Sequence, residues 1–288
     1  MRAKASISTA ALVCATVLAG CGSSSSSTSS PSGSSTQAAA PACTAASLKT
    51  LTPNTLTVAT DTPAFPPYFE NNKPSNGQGF ESAVAFAVAS KLGYSPSQVK
   101  WVVEPFNNSY APGPKHFDFD VNEISVTPAR AQVVDFSTPY FTAPQAVVVA
   151  KGSKYATATS LAALRGATLG VQVGTTSLQA VQSFVKPNSM PRIYNTSNDV
   201  VNALKVHQVE AIVTDLPTAF YITSAQVPTA KIVGQFSAPG GDKWGALLAK
   251  GSPLTSCVDT AIGKLQSSGQ LAQITTRWMG GASAPELH

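Results

Sequence analysis

Apolar and polar positions divide the chain into short strands and one-sided helices. Leu56-Thr-Val-Ala-Thr60 is a compact run with β-branched residues and predicts a strand. After Gly79, the residues Phe80, Val84, Ala87, Val88 and Leu92 recur at helical spacing, and Gly93 stands where a C-terminal cap belongs. This helix reads as core-facing and outside any binding site. Trp101-Val-Val-Glu104 is the next strand, so the order is β-α-β, which implies a parallel sheet with a right-handed crossover. The polar stretch Asn107–His116 breaks the pattern; an irregular loop is expected there, with no function attached. Further strands follow at Ala146–Ala150, Ala167–Val173 and Val209–Asp215, with helices after Gly174-Thr-Thr-Ser177 and over Asp199–Val206. Two last helices are expected near Leu254–Ser267 and Gln270–Met279, anchored in the core by Ile262, Leu265, Ile274 and Trp278.

Composition narrows the class. The 288 residues suit one or two domains, and 43% hydrophobic content supports real cores, while 11% charged implies a surface rich in neutral polar side chains. Formal net charge is +5, but two of the basic residues are Arg2 and Lys4; from residue 21 onward 17 basic face 14 acidic residues, a balance of +3. No Lys/Arg cluster exists, so nucleic acid is not an expected partner. No repeat of short fixed period is present.

The N-terminus reads as an export signal over residues 1–20: a basic start, an apolar stretch from Ala10 to Ala19, then small residues. That stretch is shorter than the roughly 20 residues a membrane-spanning helix needs. Leu18-Ala-Gly-Cys21 resembles a bacterial lipobox, which implies lipidation of Cys21 and anchoring at the cell membrane; the alternative is a plain secretory signal in which Cys21 is incidental. Residues 21–42 are dominated by Ser, Thr, Gly, Pro and Ala and should form a flexible tether. With Cys14 in the leader and Cys21 lipidated, Cys43 and Cys257 remain, and in an exported chain they should pair. Neither lies in a metal-binding spacing, and His116, His207 and His288 are scattered, so neither a metal site nor a cofactor is expected.

The stretch with chemistry runs from Asp118 to Tyr140. Ser125, Thr127 and helix-start N–H groups precede Arg130, and a guanidinium beside such groups can hold a small carboxylate through paired hydrogen bonds. An ordinary strand, a Pro-started helix and a surface arginine would give the same letters. The run SVTPARAQVVDFSTPYF, Ser125 to Phe141, resembles the signature of the amino-acid-binding proteins of ABC importers, the polar amino acid family of extracellular solute-binding proteins. The resemblance extends over roughly Cys43 to Gly280.

The resemblance implies an α/β, two-lobe periplasmic-binding-protein (Venus flytrap) fold, each lobe a mostly parallel sheet flanked by helices, joined by two crossover strands. The expected division is 43–147 and 243–288 for the first lobe and 148–242 for the second, with Gly240-Gly241 at or beside a hinge. It places Arg130 and the turn at Thr175 and Thr176 on a ligand's α-carboxylate, with Ser125 and Thr127 nearby, and Asp215 on its α-ammonium. Helix capping alone would also account for the Gly174–Ser177 turn and for Asp215 before Leu216-Pro217. Phe65 would cover the ligand, with Asp61 beside it; Phe65 as an aromatic that merely buries its loop is the other reading. Asn122 and Glu123 border the ligand's amino group and side chain, and with Asp61 they favour a basic or amide side chain. Glu123 bonded to a neighbouring backbone group or lysine is equally open. The family usually carries acids at the positions of Glu81 and Ala83; the alanine bears on the helix start and not on the pocket. The implied function is extracytoplasmic capture of an L-amino acid by a lipid-anchored monomer that delivers it to ABC permease subunits in the membrane, without catalysis. A tethered amino-acid sensor, or a dehydratase-type enzyme on the same scaffold, are the rivals.

Overall fold

The computed structural model describes residues 43–281 and 283–288. The expected leader, the expected lipidation site Cys21 and the expected tether all lie outside the described residues. In chain order the elements are β1 (Leu56–Thr60), α1 (Phe80–Lys91), β2 (Val99–Val103), α2 (Phe106–Ser109), β3 (Phe119–Asp120), α3 (Pro128–Ala131) and β4 (Val134–Phe136). They continue through β5 (Phe141–Ala143), β6 (Gln145–Ala150), β7 (Leu169–Gln172), α4 (Thr176–Ala180), β8 (Arg192–Tyr194), α5 (Ser197–Lys205), β9 (Ala211–Asp215), α6 (Leu216–Tyr221) and β10 (Ala230–Phe236). The chain ends with β11 (Asp242–Trp244), β12 (Leu247–Ala249), α7 (Thr255–Ser267) and α8 (Gln270–Met279).

The strands form two five-stranded sheets, one per lobe, ordered β2-β1-β3-β12-β4 and β10-β6-β9-β7-β8. In the first, β1 runs parallel to β2 and β3, and only β12 runs against the rest. In the second, β6 is the strand that opposes its neighbours. The apolar run of β6 follows from burial on both faces: Val147 and Val149 enter one core, Ala146 and Val148 the other. In the first lobe Leu56 and Val58 of β1 pack into a core with Phe80, Val84 and Val88 of α1 and Ile262 and Leu265 of α7, while Ala59 faces a smaller cluster behind the sheet.

Two strands join the lobes. β5 and β11 pair antiparallel, with Trp244 opposite Phe141 and Asp242 opposite Ala143. Gly240 and Gly241, at φ +87° and +66°, turn the chain into β11; a Cβ on Gly241 would come within 2.5 Å of the Thr142 methyl, so only glycine fits there. A disulfide joins Cys43 to Cys257 of α7, Cα atoms 5.3 Å apart, and fastens the start of the described chain to the first lobe.

The last residues depart from the expected assignment of 243–288 to the first lobe. Leu287 is buried in the second lobe's core, and the Gln235 N–H donates to Pro285 O at 2.8 Å. Besides its two crossover strands, the chain therefore reaches the second lobe once more at its C-terminus.

Candidate functional site

Strand ends set the positions of the site. Asp61 directly follows β1, Asn122 and Glu123 follow β3, Thr175 follows β7 and Asp215 closes β9. All are carboxyl ends of strands that run in the parallel direction of their sheets, where ligands of open α/β sheets bind. Asp61, Phe65, Asn122, Glu123, Ser125 and Arg130 from the first lobe line one cavity together with Thr175, Thr176 and Asp215 from the second. Thr127 does not line it. Its hydroxyl accepts the Arg130 N–H at 3.2 Å as the N-cap of α3, which leaves its own proton free to donate.

Arg130 is 7% exposed, not a surface arginine. Its guanidinium donates to Ser125 O at 2.7 Å and, across the cleft, to Gly174 O at 2.8 Å. Burial pulls its pKa down, opposed by Tyr110, Asp215 and Asp242, and a guanidinium stays charged regardless. The polar stretch 107–116, to which the sequence reading attaches no function, contributes directly here. α2 places the Phe106 and Tyr110 rings 5.5 and 4.4 Å from the guanidinium carbon. The Tyr110 hydroxyl donates to Asn107 Oδ1 at 2.6 Å and approaches Gly174 O at 3.4 Å. Gly174 has φ +73°, and a Cβ there would lie 2.3 Å from that hydroxyl.

Other bonds cross between the lobes. Tyr68 and Thr218 share a hydroxyl–hydroxyl bond of 2.8 Å, Ser125 and Thr176 one of 3.3 Å, and the Phe65 and Tyr221 rings lie 5.9 Å apart. The structure is thus a closed form, with its cleft walled by both lobes. Thr175 caps α4, accepting the Leu178 N–H at 3.2 Å and donating to Gln172 O at 2.8 Å, which leaves Thr176 as the hydroxyl turned to the first lobe.

Three carboxyl groups, Asp61, Glu123 and Asp215, line the cavity among apolar and aromatic side chains such as Phe65, Ile212 and Tyr221. Asp215 occupies the N-cap position of α6 but makes no side-chain cap bond. Instead the buried Gln145 donates its amide to Asp215 and, at 2.7 Å, to Asp242. Burial, then the charge of Asp242, pushes the Asp215 pKa up to about 8. Asp61 is pushed up to about 6 by burial and the charge of Glu81, with the Asn122 amide opposing. Glu123 sits in the left-handed region at φ +49°, uncommon for glutamate, and burial and Glu81 raise its pKa well above the usual range. α1 lines no part of the cavity but reaches it through one bond: Glu81, 0% exposed in its first turn, accepts the Glu123 N–H at 2.8 Å and the Tyr140 phenol proton. Among the described residues no three His, Cys, Asp or Glu side chains are placed to hold a metal ion.

Sequence reasoning missed Tyr68, Glu81, Tyr110, Gln145 and Asp242. Gln145, a lone amide opening an apolar run, and Asp242, next to the paired glycines, carried a local signal; the others did not.

The pattern shared by bacterial extracellular solute-binding proteins, family 3, matches residues 56–281, and the chain belongs to that family. It is 26% identical over 221 residues to the L-cystine-binding protein TcyJ of Escherichia coli strain K12, covering 75% of this chain and 79% of that protein. It is 27% identical over 218 residues to the arginine-binding extracellular protein ArtP of Bacillus subtilis strain 168, covering 74% and 82%. Among solved structures, an ancestral arginine-binding protein bound to arginine superposes with a TM-score of 0.66 at 32% identity, covering 79% of this chain and 99% of that one.

Proposed function

We propose that this chain captures an L-α-amino acid with a cationic side chain outside the cytoplasm and hands it to the membrane subunits of an ABC importer. The observation that carries the reading is the charge layout of the closed cleft. One buried guanidinium, Arg130, shares the cavity with Asp215, and Asp61 and Glu123 line it as a further acidic pair. A zwitterion needs one group of each sign; the further acids call for a second positive charge on the ligand. In this reading Arg130 and the hydroxyls of Ser125 and Thr176 take the α-carboxylate, Asp215 the α-ammonium, Phe65 covers the ligand, and Asp61, Asn122 and Glu123 take the side chain. The names of the relatives support an amino acid cargo, and two of them are arginine binders. Ligand contacts from both lobes exist together only on closure, so binding shifts the open–closed equilibrium. Lipidation at Cys21 and the tether 21–42 would hold a monomer at the outer membrane face beside its permease. The family is one of extracellular solute-binding proteins, so we read the cleft as a binding site without catalysis.

Calorimetric titration with the common amino acids tests this, on protein unfolded without reductant and refolded to strip cargo. L-Arginine, lysine or ornithine should bind, and L-citrulline, the uncharged isostere of arginine, should bind about tenfold or more weaker. Binding of no amino acid by folded protein would overturn the cargo, and citrulline equal to arginine would overturn the cation.

A further inference from the structure

The cleft holds more carboxyl groups than the ends of an amino acid require, and a further carboxyl lies buried behind it. Glu81 is fully buried beneath Glu123, at the start of α1. Its Oε1 accepts both the Glu123 N–H and the Tyr140 hydroxyl, while its Oε2 is buried without a donor. The 2.8 Å bond from the Glu123 N–H sets the Glu81 carboxyl against that residue, and after burial the charge of Glu81 is what raises the Glu123 pKa. The groups acting on the pair come from every side. Asp61 stands after β1, Asp120 on β3, Asp215 at the end of β9, Tyr140 before β5, and Tyr68 in the loop after β1. All are acids or phenols. Arg130, the cavity's guanidinium, donates to Ser125 O and Gly174 O, and in the reading above its charge is matched by the α-carboxylate.

Two neighbouring carboxyls, one fully buried and the other half-buried at the cavity wall, resist ionising together, and a proton shared between them supplies the donor that Glu81 Oε2 lacks. Resting on the ligand-binding reading above, we propose that Glu81 and Glu123 share one proton in the ligand-free protein and release it to solvent when a cationic side chain reaches Glu123. The exchange balances: a protonated pair plus a cation gives two carboxylates, the bound cation and one free proton. Glu81 is then a positioning residue. It never meets the ligand, but through the Glu123 N–H it holds that residue in its left-handed conformation, and through the shared proton it sets its charge. A cationic ligand is captured in competition with protons and a neutral isostere is not, so arginine affinity rises with pH relative to citrulline. Asp215 responds to the α-ammonium of either ligand, and comparing the two cancels it.

The test is calorimetry of L-arginine and L-citrulline in buffers of different ionisation enthalpy between about pH 5 and pH 8. Arginine should release about one more proton than citrulline. Glu81→Gln keeps an acceptor for the Glu123 N–H and offers Glu123 an amide donor, so Glu123 is ionised beforehand. In that variant the extra proton should vanish, and arginine affinity at acid pH should rise above that of the parent protein. Equal proton release by the two ligands, or an extra proton that persists in Glu81→Gln, overturns the proposal. Infrared spectroscopy of ligand-free protein gives an independent reading: a protonated-carboxyl band that Glu81→Gln removes supports the pair even if arginine proves not to be the cargo, and absence of that difference overturns it.

Discussion

Tyr110 lies over the guanidinium of Arg130, its ring centroid 4.4 Å from the guanidinium carbon, while its hydroxyl reaches toward Gly174 O on the opposite lobe at 3.4 Å. One side chain therefore both fixes the orientation of the cavity's single arginine and meets the backbone that closes against it. The stacking limits the guanidinium to the plane from which it donates to Ser125 O and Gly174 O.

Tyr110→Ala should accordingly weaken amino-acid binding by about 1 kcal/mol, roughly fivefold, with little change in thermal stability measured without ligand. Tyr110→Phe keeps the ring and loses only the hydroxyl, and should fall between the two. Titration calorimetry on the three proteins decides it; unchanged affinity in the alanine variant would mean that the stacking does not position Arg130.

What could be read from the letters, and what could not, divides along sequence distance. Asp61, Arg130 and Asp215 each end a strand or open a helix, and local pattern marks such places without tertiary knowledge. The β-α-β order made a parallel sheet legible in the same way, whereas the two-lobe arrangement came only from the family resemblance carried by the run from Ser125 to Phe141. Glu81 looked like a helix-start acid because its partner Glu123 is 42 residues away and no spacing rule connects them. Tyr110 sat in a stretch without periodicity, and its use depends on how α2 packs against α3. The C-terminal return to the second lobe was equally hidden: residues 283–288 are too few for a pattern and gain meaning only from the strand they meet.

Asp215 makes the ligand-free protein sensitive to alkali. Its carboxyl is raised from 3.8 to about 8 in the folded protein, so between those values the native state holds a proton that the unfolded chain does not. The associated stability is fully present below the unfolded value and is lost as pH rises through the folded one. Asp61, raised from 3.8 to about 6, adds the same sign over the lower part of that range. Calorimetric melting of ligand-free protein should therefore show Tm falling as pH goes from about 5 to about 8, and Asp215→Asn should flatten the upper part of the fall. A bound α-ammonium favours the ionised carboxylate, so stabilisation by ligand should grow over the same interval. A Tm that climbs with pH in the ligand-free protein would contradict this.

Gly234 and the C-terminal residues form a unit whose energetics can be separated from the cleft. The register of β10 against β6 shifts between Ile232 and Gly234, and at that irregularity the tail passes so close that a Cβ on Gly234 would lie 2.5 Å from Pro285 O and 2.6 Å from Leu287 Cγ. The tail is held by Gln235 N–H to Pro285 O and Leu287 N–H to Gln235 O, both 2.8 Å, and by Leu161 N–H to His288 O at 3.1 Å. Leu287 itself is 4% exposed in the second lobe's core. Removing residues 285–288 should destabilise the protein by about 2–3 kcal/mol, chiefly the burial of Leu287. Gly234→Ala should cost about 1–3 kcal/mol by driving the tail off its strand. Because both changes act through the same contact, their costs should not add: in the truncated protein Gly234→Ala should be nearly silent in denaturant unfolding. Full additivity would show that Gly234 serves the β10 irregularity itself and not the tail, and the close approach of Pro285 would then be a consequence of the glycine, not its reason.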